Sequence, residues 1–217
     1  MLTRWLGQRA EQILNHSMRG LQRLGLTPNM LTATGLVLNA IAAFFFARGW
    51  LFFGGVLVLV ANIFDVMDGQ FARRTGQVTR FGAFFDSVID RYSDMFLVLG
   101  LIFYYTRMGE RLILFFLGLA LIGSIMTSYT RARAECIIPS CKVGVFERPE
   151  RIGLIILGAL LNRMTTAIFL LAIFSNFTVV ERILYTRKVV RAMEREQASR
   201  PMTPGESDGA TPEAASS

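Results

Sequence analysis

Residues 51–94 read LFFGGVLVLVANIFDVMDGQFARRTGQVTRFGAFFDSVIDRYSD. An apolar run over residues 51–64 passes without a loop into Asp65, Asp68 and Gly69, and a second apolar stretch starting near Phe81 carries Asp86, Asp90 and Asp94. A membrane-spanning helix needs roughly 20 apolar residues. Carboxylates at or near that depth are costly and are met as paired or metal-bound groups. Asp65 and Asp68 are three residues apart and share one helix face; Asp86 and Asp90 are four apart and share another. Two antiparallel helices facing each other would gather four carboxylates around one pocket. Arg73, Arg74 and Arg91 are candidate counter-charges, while oxygen-only ligands at this density suit Mg²⁺ or a similar hard divalent ion. Asp94 reads either as a supporting partner of the site or as an acid on the helix surface.

The remainder of the chain is of the same kind. It has 217 residues, of which 53% are hydrophobic and 18% charged, with a mean hydropathy of +0.44. That excludes disorder over most of the chain and disfavours a soluble globule. Two cysteines, Cys136 and Cys141, and one histidine, His16, exclude a disulfide scaffold, a standard zinc site and any mechanism needing several imidazoles. The formal net charge is +7. In so apolar a chain that excess points to a membrane surface, with no nucleic acid as partner.

The pattern predicts an all-α integral membrane protein with six transmembrane helices. They fall at about residues 29–48, from residue 50 into 65–74, from residue 81, from residue 111, at 150–161 and from residue 164. Residues 1–26 repeat Leu2, Trp5, Leu6, Ile13, Leu14 and Met18 at helical spacing with arginines between, as expected of an amphipathic juxtamembrane helix on the membrane surface. Residues 27–191 form the membrane domain, and 192–217 a largely disordered tail. Arg73, Arg74, Arg80, Arg131, Arg133, Arg148 and Arg151 fall on one side with both termini, which makes that side cytoplasmic. Arg133 and Arg148 read as the ordinary anchors among them.

Between the acids stand small and basic residues. Gly69 and Gly82 let a ligand or a neighbouring helix approach the backbone, Ala72 keeps its face small, and Arg73 can hold a phosphate. Written out, the stretch is Asp65-x2-Asp68-Gly69-x2-Ala72-Arg73-x8-Gly82-x3-Asp86-x3-Asp90. It resembles the signature of the CDP-alcohol phosphotransferases, with every position filled. The resemblance implies transfer of a phosphatidyl or similar group from a CDP-linked donor to an alcohol, with release of CMP. It implies a metal pair, Mg²⁺ with Mn²⁺ as the possible substitute, on Asp65, Asp68, Asp86 and Asp90, and Asp90 as general base. Gly69, Ala72, Arg73 and Gly82, with Asp65 and Asp68, would form the CDP site.

Two further runs, Ser128-Tyr129-Thr130-Arg131-Ala132-Arg133 and Glu147-Arg148-Pro149-Glu150-Arg151, look like segments of the phosphatidylinositol phosphate synthase branch of that family. The resemblance implies CDP-diacylglycerol as donor, inositol phosphate as acceptor, and Arg131, Arg151 and Arg182 around the acceptor's phosphate. The branch often has Lys where Arg131 stands; the charge is kept and the donor geometry is not. It also implies a homodimer in the cytoplasmic membrane with a cytoplasmic active site. Three arginines converging there would repel one another unless an anion sat between them. A phosphatidylglycerophosphate synthase is the neighbouring reading, and a small ion transporter the non-enzymatic one.

Overall fold

The computed structural model describes residues 27–199, apart from the side chains of Asp68, Arg74, Thr75 and Ser199. The amphipathic helix expected over residues 1–26 lies outside the described residues, as does the tail beyond residue 199. The described residues form six helices and no strand: α1 (Pro28–Ala47), α2 (Leu51–Thr75), α3 (Arg80–Met108), α4 (Arg111–Ala134), α5 (Arg148–Leu160) and α6 (Met164–Ser199).

Local chemistry sets the ends of these helices. The Thr27 hydroxyl accepts from the Met30 N–H, and Pro28 sits in the first turn, where its missing N–H costs nothing. Pro149 opens α5 in the same way. α2 stops at Gly76, which takes the left-handed φ of 68° that a side chain would resist. Thr79 then caps α3 by accepting from the Gly82 N–H at 2.9 Å. α6 runs through Ser199, so residues 192–199, expected within the tail, are helical.

Each helix has two principal neighbours. α1 packs on α2 and α3, α2 on α5, α5 on α6, α6 on α4, and α4 on α3. The six therefore close into a ring. α2 and α3 are not a principal packing pair among the described residues, yet they face each other across the carboxylates as the sequence suggested. Both are drawn to α1 instead. A Cβ on Gly100 of α3 would overlap the Ala43 carbonyl of α1, so the two backbones meet where a side chain has been dispensed with. The space left between α2 and α3 is where the carboxylates stand.

Phe46, Val58, Leu97, Leu117, Ile155 and Ile168, one from each helix in chain order, are buried in the common core. Phe53, Phe103, Phe115 and Phe177 lie on the outside and are each more than half exposed. So much exposed aromatic surface suits lipid and not water. α1, α2, α4 and α6 are long and apolar enough to cross a bilayer. α3 has 29 residues, but Asp86, Asp90, Arg91 and Asp94 occupy its first half. α5, with 13 residues, reaches about 20 Å at 1.5 Å per residue, against about 30 Å of hydrocarbon. These are the helices of a membrane protein.

The α1–α3 contact yields a stability test. Gly100→Ala should destabilise the fold by about 1–3 kcal/mol, the usual cost of overpacking. Thermal unfolding of the detergent-solubilised protein should show a lowered Tm. An unchanged Tm would mean that α1 and α3 part freely.

Candidate active site

Asp65 of α2 and Asp86 and Asp90 of α3 each offer an oxygen, and the three oxygens lie within 4.8 Å of one another. All three residues are half-buried. Asp68 follows Asp65 by one turn of α2, and its side chain lies outside the described residues. The donor set is carboxylate oxygen throughout, as hard divalent ions require. Asp90 Oδ1 is buried and accepts no hydrogen bond; its charge is met by an ion pair alone. The residues present therefore fit a hard divalent ion.

The protein's own cation in this cluster is Arg148. Its Nη1 donates to Asp65 Oδ2 at 2.8 Å, its Nη2 lies 2.9 Å from Asp90 Oδ1, and its Nε lies 3.7 Å from Asp94 Oδ1. The reading of Arg148 as a membrane anchor is thereby corrected. A signal for it was present: Arg148, Arg151, Ile152 and Ile155 recur at the i, i+3, i+4, i+7 spacing of one helix face. The last three are buried, so the stripe that docks α5 carries Arg148 inward with it. Of the two readings of Asp94, the surface one is corrected and the supporting one agrees with its contacts. The residue is buried, not on the surface, and accepts from Arg151 Nη2 at 2.7 Å. Arg91, a candidate counter-charge, donates to the Ser87 carbonyl one turn back and lies along the same cavity as Asp90 and Asp94.

Two cavities flank the carboxylates. One, of about 190 Å³, is lined by Asn29, Gly69, Ala72, Arg73, Gly82 and Asp86 together with the α2–α3 turn. Gly69, Ala72, Arg73 and Gly82 are thus brought together as expected. A Cβ on Gly69 would meet no protein atom within 4 Å, so no packed helix accounts for this glycine. Gly82 differs: a Cβ there would come 2.9 Å from the Thr79 hydroxyl and spoil the cap of α3. Asp65 lines a separate narrow cleft with Asp90 and Arg148.

The second cavity, also about 190 Å³, lies among α3, α4, α5 and α6. Arg91, Arg131, Arg148, Arg151 and Arg182 line it against Asp90, Asp94 and Glu147. Arg131, Arg151 and Arg182 therefore converge, but protein groups already hold them apart. Glu147 accepts from Arg182 Nη2 at 2.9 Å and from Arg131 Nη1 at 3.4 Å. Arg182 also donates to the Thr127 and Val143 carbonyls, and Arg151 to the Thr127 hydroxyl at 3.1 Å. Asp94 and Glu147 thus supply part of the negative charge that the arginines were expected to demand of a ligand. Arg151 and Arg182 are buried, whereas the Arg131 side chain is 39% exposed. Cys136 and Cys141 are both free thiols.

The whole arrangement has relatives. Residues 25–192 match the CDP-alcohol phosphatidyltransferase family. The chain belongs to that family. It is accordingly a transferase that acts on CDP-linked alcohols, and the reading of the buried acids as an ion pathway is set aside. An archaetidylinositol phosphate synthase of Pyrococcus horikoshii is 35% identical over 83% of this chain and 94% of its own length. A phosphatidylinositol phosphate synthase of Mycobacteroides abscessus is 33% identical over 84% of this chain and 87% of its own. Among solved structures, the phosphatidylinositol phosphate synthase of Mycobacterium tuberculosis with CDP-DAG bound superposes with a TM-score of 0.76 at 33% identity, covering 81% of this chain and 94% of that one. The same enzyme in complex with manganese and citrate gives a TM-score of 0.78 at 32% identity, covering 90% and 96%.

Gly69 offers a test of the first cavity as the nucleotide site. Gly69→Leu meets no protein atom close to its Cβ and should leave the Tm nearly unchanged. It should weaken CDP-diacylglycerol binding, measured by displacement of labelled CMP, by tenfold or more. Undiminished binding would place the nucleotide elsewhere.

Proposed function

We propose that the protein transfers a phosphatidyl group from CDP-diacylglycerol to an inositol phosphate, giving phosphatidylinositol phosphate and CMP. The observation that carries this reading is the position of the carboxylates between two unlike cavities. One is bordered by small residues and Arg73; the other is lined by five arginines against three acids. The names of the inositol-phosphate-using relatives, and the CDP-DAG bound by one of them, support it.

In this reading Asp65, Asp68, Asp86 and Asp90 hold a pair of Mg²⁺ ions, with Mn²⁺ as a substitute. Ions held there would neutralise charge on the pyrophosphate as the bond to CMP breaks. Asp65, Asp68, Gly69, Ala72, Arg73 and Gly82 seat the CDP group, Arg73 by hydrogen bonds to phosphate. Arg131, Arg151 and Arg182 hold the acceptor's phosphate monoester, whose charge is about −1.5 to −2. Asp90 borders the acceptor cavity and takes the proton from the attacking hydroxyl. The hydroxyl oxygen forms the new bond to the phosphatidyl phosphorus, and CMP departs with the electrons of the old one.

The membrane arrangement follows the arginines. All six helices cross, α5 with help from the residues just before and after it, and α3 with its charged half at the active site. Residues 27–191 form the catalytic domain. The site opens to the cytoplasmic face of the cell membrane, and the protein acts as a homodimer.

Purified protein should release CMP from CDP-diacylglycerol faster with inositol phosphate than with glycerol phosphate, and free inositol should be a poor acceptor. Preference for glycerol phosphate would make it a phosphatidylglycerophosphate synthase. EDTA should abolish turnover, and Mg²⁺ or Mn²⁺ should restore it. Asp90→Asn should lower kcat by about 10²–10⁴ while CDP-diacylglycerol still binds. Arg131, the exposed member of the three, gives the cleanest acceptor test. Arg131→Ala should raise KM for inositol phosphate about ten- to a hundredfold, the worth of a charge-assisted hydrogen bond of about 1.5–3 kcal/mol. KM for CDP-diacylglycerol should change only a few-fold. Equal effects on both would return Arg131 to the role of a membrane anchor.

A further inference from the structure

We propose that Arg148 and a divalent ion are alternative partners of the same carboxylates, so that metal entry moves the Arg148 guanidinium off Asp65 and Asp90 towards the acceptor cavity. The inference rests on the reading that these carboxylates bind metal, and it adds a residue to which that reading gives no role. The Arg148 fork is shared between two helices: Nη1 bonds to Asp65 of α2 and Nη2 touches Asp90 of α3. Those two residues supply two of the three oxygens gathered within 4.8 Å. A doubly charged ion drawn into that triangle would face a guanidinium at contact distance from two of its ligands. Like charges so close in a poorly screened interior repel strongly.

The guanidinium also has somewhere to go. Its grip on Asp90 is electrostatic only, because Asp90 Oδ1 accepts no hydrogen bond despite the 2.9 Å approach. Nε already lies 3.7 Å from Asp94 Oδ1, a buried oxygen that likewise accepts no hydrogen bond. Asp94 lines the arginine-rich cavity and not the narrow cleft of Asp65. Arg148 lines both spaces. Rotation away from Asp65 would exchange one carboxylate for another and add a free N–H edge to the acceptor cavity. Metal binding and capture of an anionic acceptor would then favour each other, because each is helped by the same displacement. Arg148 is in this sense a positioning residue: it acts on the acceptor site according to what the carboxylates hold.

Mn²⁺ alone is the probe, measured on the full-length protein in detergent by the electron paramagnetic resonance signal of the free ion. Arg148→Gln should bind Mn²⁺ at least tenfold more tightly than wild type, and Mn²⁺ should raise its Tm by more. A residue that merely supported the fold would weaken metal binding when removed. Unchanged or weaker binding by a folded Arg148→Gln, beside normal binding by wild type, overturns the inference alone. No Mn²⁺ binding by wild type overturns the metal reading and the inference with it. The wild type gives a second readout if the variant does not fold. Modification of Arg148 by phenylglyoxal, followed by peptide mass spectrometry, should be faster in Mn²⁺ than in EDTA. An equal or slower rate in Mn²⁺ overturns the inference.

Discussion

Carboxylates buried in an apolar bundle must be neutralised, and the centre of this protein is organised around that demand. Like charges at about 4 Å repel by about 4 kcal/mol even at an effective dielectric near 20. Asp65, Asp86 and Asp90 stand at such separations, and Asp94 is buried nearby. Arg148 answers Asp65 and Asp90, and Arg151 answers Asp94. Both arginines come from the first turn of α5, which packs on α2 and α6, and their side chains reach Asp90 and Asp94 of α3.

The ring of helices explains how one cluster can serve two cavities. Because α2 and α3 pack chiefly on α1, a gap remains along their facing sides. The α2–α3 turn and the start of α1 wall off one end of that gap as the small-residue cavity. The ends of α4, α5 and α6 wall off the other as the arginine-lined cavity. Asp86 borders the first and Asp90 the second, one helical turn apart. A group carried by one cavity can therefore meet a nucleophile held in the other without leaving the carboxylates, the geometry that a two-substrate transfer needs. Glu147 and Thr127 tie α4, α5 and α6 together beside the arginine-lined cavity, and they do so through the arginines themselves. Under the proposed acceptor role, recognition and bundle stability would share side chains there; Arg151 and Arg182 are buried while Arg131 is partly open.

Much of this was legible in the sequence. Helical character and the approximate starts of α1, α3 and α6 follow from apolar run lengths, which are local effects. The spacing of Asp65, Asp86 and Asp90, and of Gly69, Ala72, Arg73 and Gly82, also required no knowledge of distant residues, because i, i+3 and i, i+4 neighbours share a face wherever the helix sits. The convergence of Arg131, Arg151 and Arg182 was legible only by resemblance, since they stand on three helices. What the tertiary structure alone decided is which charge meets which. Arg148 lies 83 residues from Asp65 in the chain and Arg151 lies 57 from Asp94, and a pairing at that separation exists only once α5 has docked beside α2. Local spacing determines the face a charge occupies; the order of helices around the ring determines its partner, and so turned an apparent membrane anchor into the cation at the centre of the site.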